Sequence, residues 1–150
     1  MMAMQLVQNP SRSTARADLD HPLRVFLVED SPVIRERLSE SISSLAHVKV
    51  VGTADSEAQA IAALQQTACD AVILDLQLKH GHGFNVLKAL RGPTDRPRLT
   101  VIVLTNFTAS QYRDRSMQMG ADYFFDKARE YDGVCDVLEK LALDRGQNLS

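Results

Sequence analysis

Four apolar residues in a row, Ala71, Val72, Ile73 and Leu74, end at a carboxylate, Asp75. An unbroken apolar run of this length fits a strand covered on both faces, and such strands belong to parallel sheets rather than to half-exposed antiparallel ones. The pattern occurs twice more. Val25 to Val28 stops at Glu29 and Asp30, and Val101 to Leu104 stops at Thr105 and Asn106. Strands that end this way carry their polar groups to one edge of the sheet, and in open α/β sheets that carboxyl edge is where ligands bind.

A chain of 150 residues, 45% hydrophobic and 24% charged, suffices for one domain with its own core. Its 17 basic and 19 acidic residues leave a net charge of −2, so no global field draws it to nucleic acid or to an anionic membrane, and neither partner is expected. It has no run of about 18 apolar residues to span a bilayer and no apolar core for a secretory signal, which predicts a cytoplasmic protein. Cys69 and Cys135 follow no metal or redox spacing. They read as reduced, packed thiols, with a disulfide as the alternative.

Residues 1 to 22 show no sustained period and read as a disordered leader. A first strand, Leu23 to Val28, leads to Ser31 and Pro32, a cap followed by a residue already set at helical φ. Helix one then extends to about Leu45, with Ile34, Leu38, Ile42 and Leu45 forming one apolar stripe. Val48 to Val51 predicts a second strand, ended by Gly52 and placed at a sheet edge by the charge of Lys49. Asp55 or Ser56 can cap helix two, whose apolar side holds Ala58, Ile61, Ala62 and Leu64. Residues 70 to 75 form the central strand, and a loop from Gln77 to Gly83 leads to helix three around Phe84, Leu87 and Leu90. Arg91 to Arg98 is a polar connector to strand four at 99 to 104. Thr108 to Gln111 reads as a capping box opening helix four, which closes at Gly120. Tyr123 to Phe125 is strand five, and Val134, Val137, Leu138 and Leu141 mark a last helix. The domain is expected over 23 to 142, with a tail from 143 to 150. Five strands alternating with five helices predict an α/β fold, a doubly wound five-stranded parallel sheet.

Glu29, Asp30 and Asp75 end two strands expected to be neighbours, so three carboxylates crowd at one place and call for a cation. Oxygen ligands suit a hard ion, Mg²⁺ before Ca²⁺. Lys127 leaves strand five at the same edge with a fixed positive charge, and Thr105 adds a hydroxyl. A divalent ion, an ammonium, a hydroxyl and an exposed carboxylate are the parts for phosphoryl transfer onto that carboxylate, with Asp75 as nucleophile. Taken singly, an acidic pair after a strand is a solvated turn and a lysine a surface charge. It is their joint occurrence at separate strand ends that makes a site. His80 and His82 flank Gly81 without a third ligand and receive no role.

Over about residues 23 to 142 these positions resemble the receiver domains of two-component response regulators. The resemblance implies a flavodoxin-like (βα)5 fold with strand order 2-1-3-4-5. It also implies that Glu29 and Asp30 bind Mg²⁺ together with Asp75, and that Asp75 is the phosphoacceptor. Thr105 corresponds to the hydroxyl that closes on the phosphoryl group, Lys127 to the lysine that contacts it, and Phe124 to the switch aromatic that turns inward on activation. Gly83, eight residues beyond Asp75, also matches. The implied donor is a phosphohistidine on a histidine kinase or histidine phosphotransfer protein. Catalysis would be limited to the domain's own phosphorylation and dephosphorylation, and the readout would fall on helix four, strand five and helix five. Where the family carries proline after its lysine, this chain has Ala128, which predicts a trans bond and a reshaped loop. Asn106 and Lys79 are further departures, and neither removes a catalytic group.

Two other chemistries fail on single positions. A haloacid-dehalogenase-like phosphatase needs a second Asp where Gln77 stands, and a dinucleotide binder needs a glycine-rich loop where Glu29 to Pro32 supplies acid. The surviving alternative is an unphosphorylated module of the same fold that acts by protein binding alone. With the sequence ending at Ser150, a stand-alone receiver is expected, whose target is another protein or a second copy of the chain.

Overall fold

The apolar run from Ala71 is the middle strand of a five-stranded sheet in the computed structural model, which describes residues 21–92 and 99–147. The expected leader, except for its last two residues, lies outside the described residues, as do residues 93–98 of the connector and 148–150 of the tail. The strands are β1 (Leu23–Val28), β2 (Val48–Ala54), β3 (Ala71–Leu74), β4 (Thr100–Thr105) and β5 (Tyr123–Asp126). They alternate with helices α1 (Pro32–Ser43), α2 (Glu57–Gln66), α3 (Gly83–Leu90), α4 (Ser110–Gln118) and α5 (Tyr131–Gln147). Every strand pair is parallel and the order is β2-β1-β3-β4-β5, the predicted doubly wound arrangement.

Continuous burial explains why the strands read as unbroken apolar runs. Phe26, Val28, Val72, Leu74, Val101 and Val103 pack on one face with Leu64, Val86, Leu87 and Leu90 of α2 and α3. Val25, Leu27, Ala71, Ile73, Ile102 and Leu104 pack on the other with Leu38, Ile42, Val134 and Leu138 of α1 and α5. Each face is a buried apolar layer, so truncating one of these residues, such as Leu74 to alanine, costs about 2–5 kcal/mol.

Some expected boundaries move. Gly52 does not end β2: the strand runs on to Ala54, and Gly52 pairs with Phe26 just past a register shift. A Cβ at Gly52 would lie 2.7 Å from the Phe26 ring, so the glycine is there to admit that ring rather than to break the strand. Ser56, not Asp55, caps α2 by accepting the Gln59 amide. Helix one stops at Ser43 rather than near Leu45, and the last helix continues past residue 142 to Gln147. The capping box is not formed. Helix α4 starts at Ser110 after Ala109 with no side-chain cap, its first turn closed by the Tyr112 amide on the Ala109 carbonyl at 2.9 Å; at its other end Gly120, just past the C-cap Met119 and at φ +104°, closes it as expected. Cys69 is buried and Cys135 partly so, and neither is bridged.

Asp70, just ahead of β3, ties the layers together. It accepts the Arg24 amide at 2.8 Å and both arms of the Arg24 guanidinium at 3.1 and 3.0 Å, and it pairs with Arg145 of α5 at 2.5 Å. Burial alone would raise the Asp70 carboxyl, but the Arg24 and Arg145 contacts outweigh it and hold it below the ordinary carboxylate value. A depressed folded-state value means a stabilisation that is complete above the unfolded value of about 3.9 and fades as the pH falls through the folded one. Asp70→Asn should therefore cost about 1–2 kcal/mol at pH 7, discounted because Arg24 is 41% exposed. The cost should shrink below about pH 4. Urea melts of both chains at the two pH values check this, and an equal loss at both would contradict it.

Candidate functional site

Glu29, Asp75, Thr105 and Lys127 stand at the carboxyl ends of β1, β3, β4 and β5, where the ladder hydrogen bonds still fix them. Glu29 donates its amide to Ala54 at 3.0 Å, Asp75 donates to Val28 at 3.1 Å, and Lys127 donates to Thr105 at 2.9 Å. The chain then turns away from the sheet at each place, and the polar side chain closes its own turn by accepting the amide two residues on. Ser31 N–H donates to Glu29 Oε2 at 3.0 Å, Gln77 N–H to Asp75 Oδ1 at 3.1 Å, and Phe107 N–H to Thr105 Oγ1 at 3.1 Å. The carbonyl of Glu29 is held as well, by Arg35 at 2.8 Å.

The Lys127 ammonium lies between the two acids, 2.5 Å from Asp75 Oδ2 and 2.7 Å from Glu29 Oε1. Glu29 is 3% exposed and Asp75 5%, so these are desolvated charges that need this partner. Burial pushes the Glu29 carboxyl above its ordinary value despite the pull of Lys127 and the Ser31 amide. Burial pulls the Lys127 ammonium down, yet Asp75 and Glu29 together outweigh it and leave it raised, charged at any physiological pH.

Carboxylate oxygens of Glu29, Asp30 and Asp75 lie within 4.8 Å of one another. Three carboxylates against one ammonium leave unbalanced negative charge at the floor of an open cleft of about 320 Å³, whose walls include Lys79 and Asn106. Oxygen-only donors at this spacing fit a hard divalent ion that keeps several of its waters. Of the three acids, Asp30 alone has no hydrogen bond or ion pair among the described residues, so its carboxylate is the one most open to a cation.

Residues 25–139 match the response regulator receiver domain. The chain belongs to that family. This receiver is 28% identical over 124 residues to a gliding motility regulatory protein of Myxococcus xanthus, covering 83% of this chain and 16% of that one. It is 30% identical over 114 residues to a protein-glutamate methylesterase/protein-glutamine glutaminase of Syntrophus aciditrophicus, covering 73% of this chain and 33% of the other. The receiver thus spans less than two thirds of these curated relatives. Among solved structures it superposes on the response regulator domain of Thermotoga maritima CheB with a TM-score of 0.70 at 22% identity, covering 84% of this chain and 97% of that one. It superposes equally on the receiver domain of the Pseudomonas aeruginosa sensor histidine kinase PA1611, which has magnesium coordinated in its active-site cleft, with a TM-score of 0.69 at 21% identity over 81% and 98% of the two chains. No helix among the described residues is long and apolar enough to cross a membrane.

Gly83 of the receiver has a packing reason. It is the first residue of α3, its amide donates to the Leu76 carbonyl at 2.9 Å, and a Cβ there would lie 2.1 Å from the Asp75 carbonyl oxygen. No cis peptide bond occurs among the described residues, so the Lys127–Ala128 bond is trans as expected, with the Ala128 amide donating to Asp126 Oδ1 at 2.8 Å. Phe124 is not outward-facing: it is buried in the core, with the Arg113 guanidinium 5.0 Å above its ring. The hydroxyl of Thr105 accepts the Phe107 amide at 3.1 Å.

Sequence reasoning missed Arg35, Phe107 and Glu57. Glu57 Oε1 accepts the His82 amide at 2.9 Å and the Asn85 side chain at 3.0 Å, shaping the loop after Asp75 from a distant helix. The amides of Ser31, Gln77 and Phe107 carried a local signal, since an acid or, more weakly, a hydroxyl at a strand end closes a turn on the amide two residues later.

Proposed function

We propose that this receiver accepts a phosphoryl group on Asp75 and passes the change to a protein partner. The observation that carries this reading is the buried Asp75 carboxylate at 2.5 Å from Lys127, beside two further acids, at the floor of an open cleft. A carboxylate oxygen of Asp75 attacks phosphorus as the bond from phosphorus to the donor's imidazole nitrogen breaks. The electron pair of that bond returns to the imidazole, which takes up a proton from water if it leaves unprotonated. Glu29, Asp30 and Asp75 would hold Mg²⁺, which when bound neutralises charge on the phosphoryl oxygens. Lys127 stabilises the same charge from the other side, and Thr105 supplies a hydroxyl to one phosphoryl oxygen once it leaves the Phe107 amide.

The donor is a histidine kinase or a histidine phosphotransfer protein, and the protein acts in the cytoplasm. It turns over nothing but its own phosphate. Phosphorylation shifts an existing equilibrium by differential contacts from Thr105 and Lys127, and the surface of α4, β5 and α5 reports it to another protein or to a second copy of the chain. That Phe124 is already buried supports Thr105 and its loop, rather than an inward turn of that ring, as the first moving part. The alternative is an unphosphorylated binding module of the same fold.

Acetyl phosphate with and without Mg²⁺ separates the two. Phosphoryl acceptance predicts near-stoichiometric, acid-labile, Mg²⁺-dependent phosphate, and none at all would leave the binding module. Thr105→Ala should still be labelled. Its amide NMR changes over residues 108–140 on adding beryllofluoride and Mg²⁺ should be muted relative to the parent, and changes of parental size would contradict the role given to Thr105.

A further inference from the structure

Helix α4 has little to hold it to the sheet. Ser116 is its one buried residue, and the Ser116 hydroxyl turns back to the Tyr112 carbonyl at 2.7 Å. Its first turn is tied down by a row of rings. Phe107 stacks on Tyr112 with centroids 5.0 Å apart and planes at 24°, and Tyr112 stacks on Phe84 at 6.4 Å and 30°. Phe84 belongs to α3, is buried in the core, and carries the Arg115 guanidinium 4.1 Å above its ring. The row therefore ends on an anchored helix. It begins at the residue whose amide is bonded to the Thr105 hydroxyl.

The Thr105 carbonyl is fixed by the Lys127 amide, so only the Thr105 side chain and the residues after it are free to move. Asn106 and Thr108 are exposed and resist little, which leaves the ring of Phe107 as the grip on this loop. We propose that Phe107 and Tyr112 are positioning residues for Thr105: their stack keeps its hydroxyl on the Phe107 amide, and the stack loosens when the hydroxyl moves to a phosphoryl oxygen on Asp75. A cleft of about 290 Å³ beside the rings, bounded also by Leu76, His82 and Asn85, gives them room to separate. The inference rests on Asp75 as phosphoacceptor. Because the stack stabilises the resting arrangement, removing one ring favours the other arrangement, and a ligand selecting that one binds tighter by about 2- to 10-fold, the scale of one aromatic pair. The Tyr112 hydroxyl has no part in this.

The test is a titration of the full chain with beryllofluoride in excess Mg²⁺, read by the Leu76 and Gln77 amides for affinity and by the Phe107 and Tyr112 ring resonances for the stack. In the parent both sets should shift together. Phe107→Ala and Tyr112→Leu should bind beryllofluoride about 2- to 10-fold tighter, Tyr112→Phe should match the parent, and the gain should vanish when Thr105→Ala is added. A merely structural role would show no dependence on Thr105. Unchanged or weaker affinity in both ring deletions overturns the inference, as do rings that stay still while Leu76 and Gln77 shift. If Leu76 and Gln77 themselves do not respond, the reading of Asp75 fails and takes this one with it.

Discussion

Asp75→Asn should incorporate no acid-labile phosphate under conditions that label the parent to near one equivalent. The substitution keeps the shape of the side chain and the oxygen that accepts the Gln77 amide, but it replaces the attacking carboxylate oxygen with an amide nitrogen that cannot form an acyl phosphate. The loss is of the nucleophile itself, so the expected effect is complete rather than partial. The fold should survive. Lys127 retains Glu29 at 2.7 Å, so the buried ammonium is not left unpaired, and one of three crowded negative charges is gone. Circular dichroism and urea unfolding establish that the variant is folded, and labelling of the folded variant at the parental level would remove Asp75 from the role.

Asp30→Ala should lose Mg²⁺ binding and phosphorylation together. Asp30 has no partner among the described residues, so its removal orphans nothing and should change unfolding stability by no more than about 0.5 kcal/mol. Its contribution is to the cation. The Glu29 oxygens are already engaged by Lys127 and the Ser31 amide, and those of Asp75 by Lys127 and the Gln77 amide. Removing the one uncommitted carboxylate should weaken Mg²⁺ by at least the roughly 10- to 100-fold that loss of an outer-sphere partner costs. Excess Mg²⁺ should restore part of the phosphorylation. An Mg²⁺ titration in which the variant equals the parent would contradict the site.

How much was legible in the chain follows from where each signal is stored. β1, β3 and β4 are legible because both faces of their central residues, Val25–Val28, Ala71–Leu74 and Val101–Leu104, are buried, so those residues are apolar and the run stops near the end of the strand. β2 is cut short at Gly52 on paper because a glycine looks like a stop until the Phe26 ring above it is known. The start of α4 misleads for a related reason: Thr108 and Gln111 have the composition of a capping box, but the turn is set by the Thr105 hydroxyl and by the Phe107 and Tyr112 rings. The acids and Lys127 of the site are legible because they follow directly on strand ends, Glu29 and Asp30 after β1, Asp75 after β3 and Lys127 after β5. The grip of Glu57 on the loop after Asp75, and that of Asp70 on Arg24 and Arg145, are not, because the partners are 25 or more residues away and no local pattern encodes them.

The most direct measurement is chemical trapping of the phosphorylated residue. The parent chain is incubated with acetyl phosphate and Mg²⁺, treated with borohydride, which reduces an acyl phosphate to the alcohol with release of phosphate, and digested for peptide mass analysis. Homoserine at position 75, present with Mg²⁺ and absent with a chelator, is the predicted result. An unmodified Asp75 in a chain that carries phosphate elsewhere, or a trapped residue at Glu29 or Asp30, would contradict it.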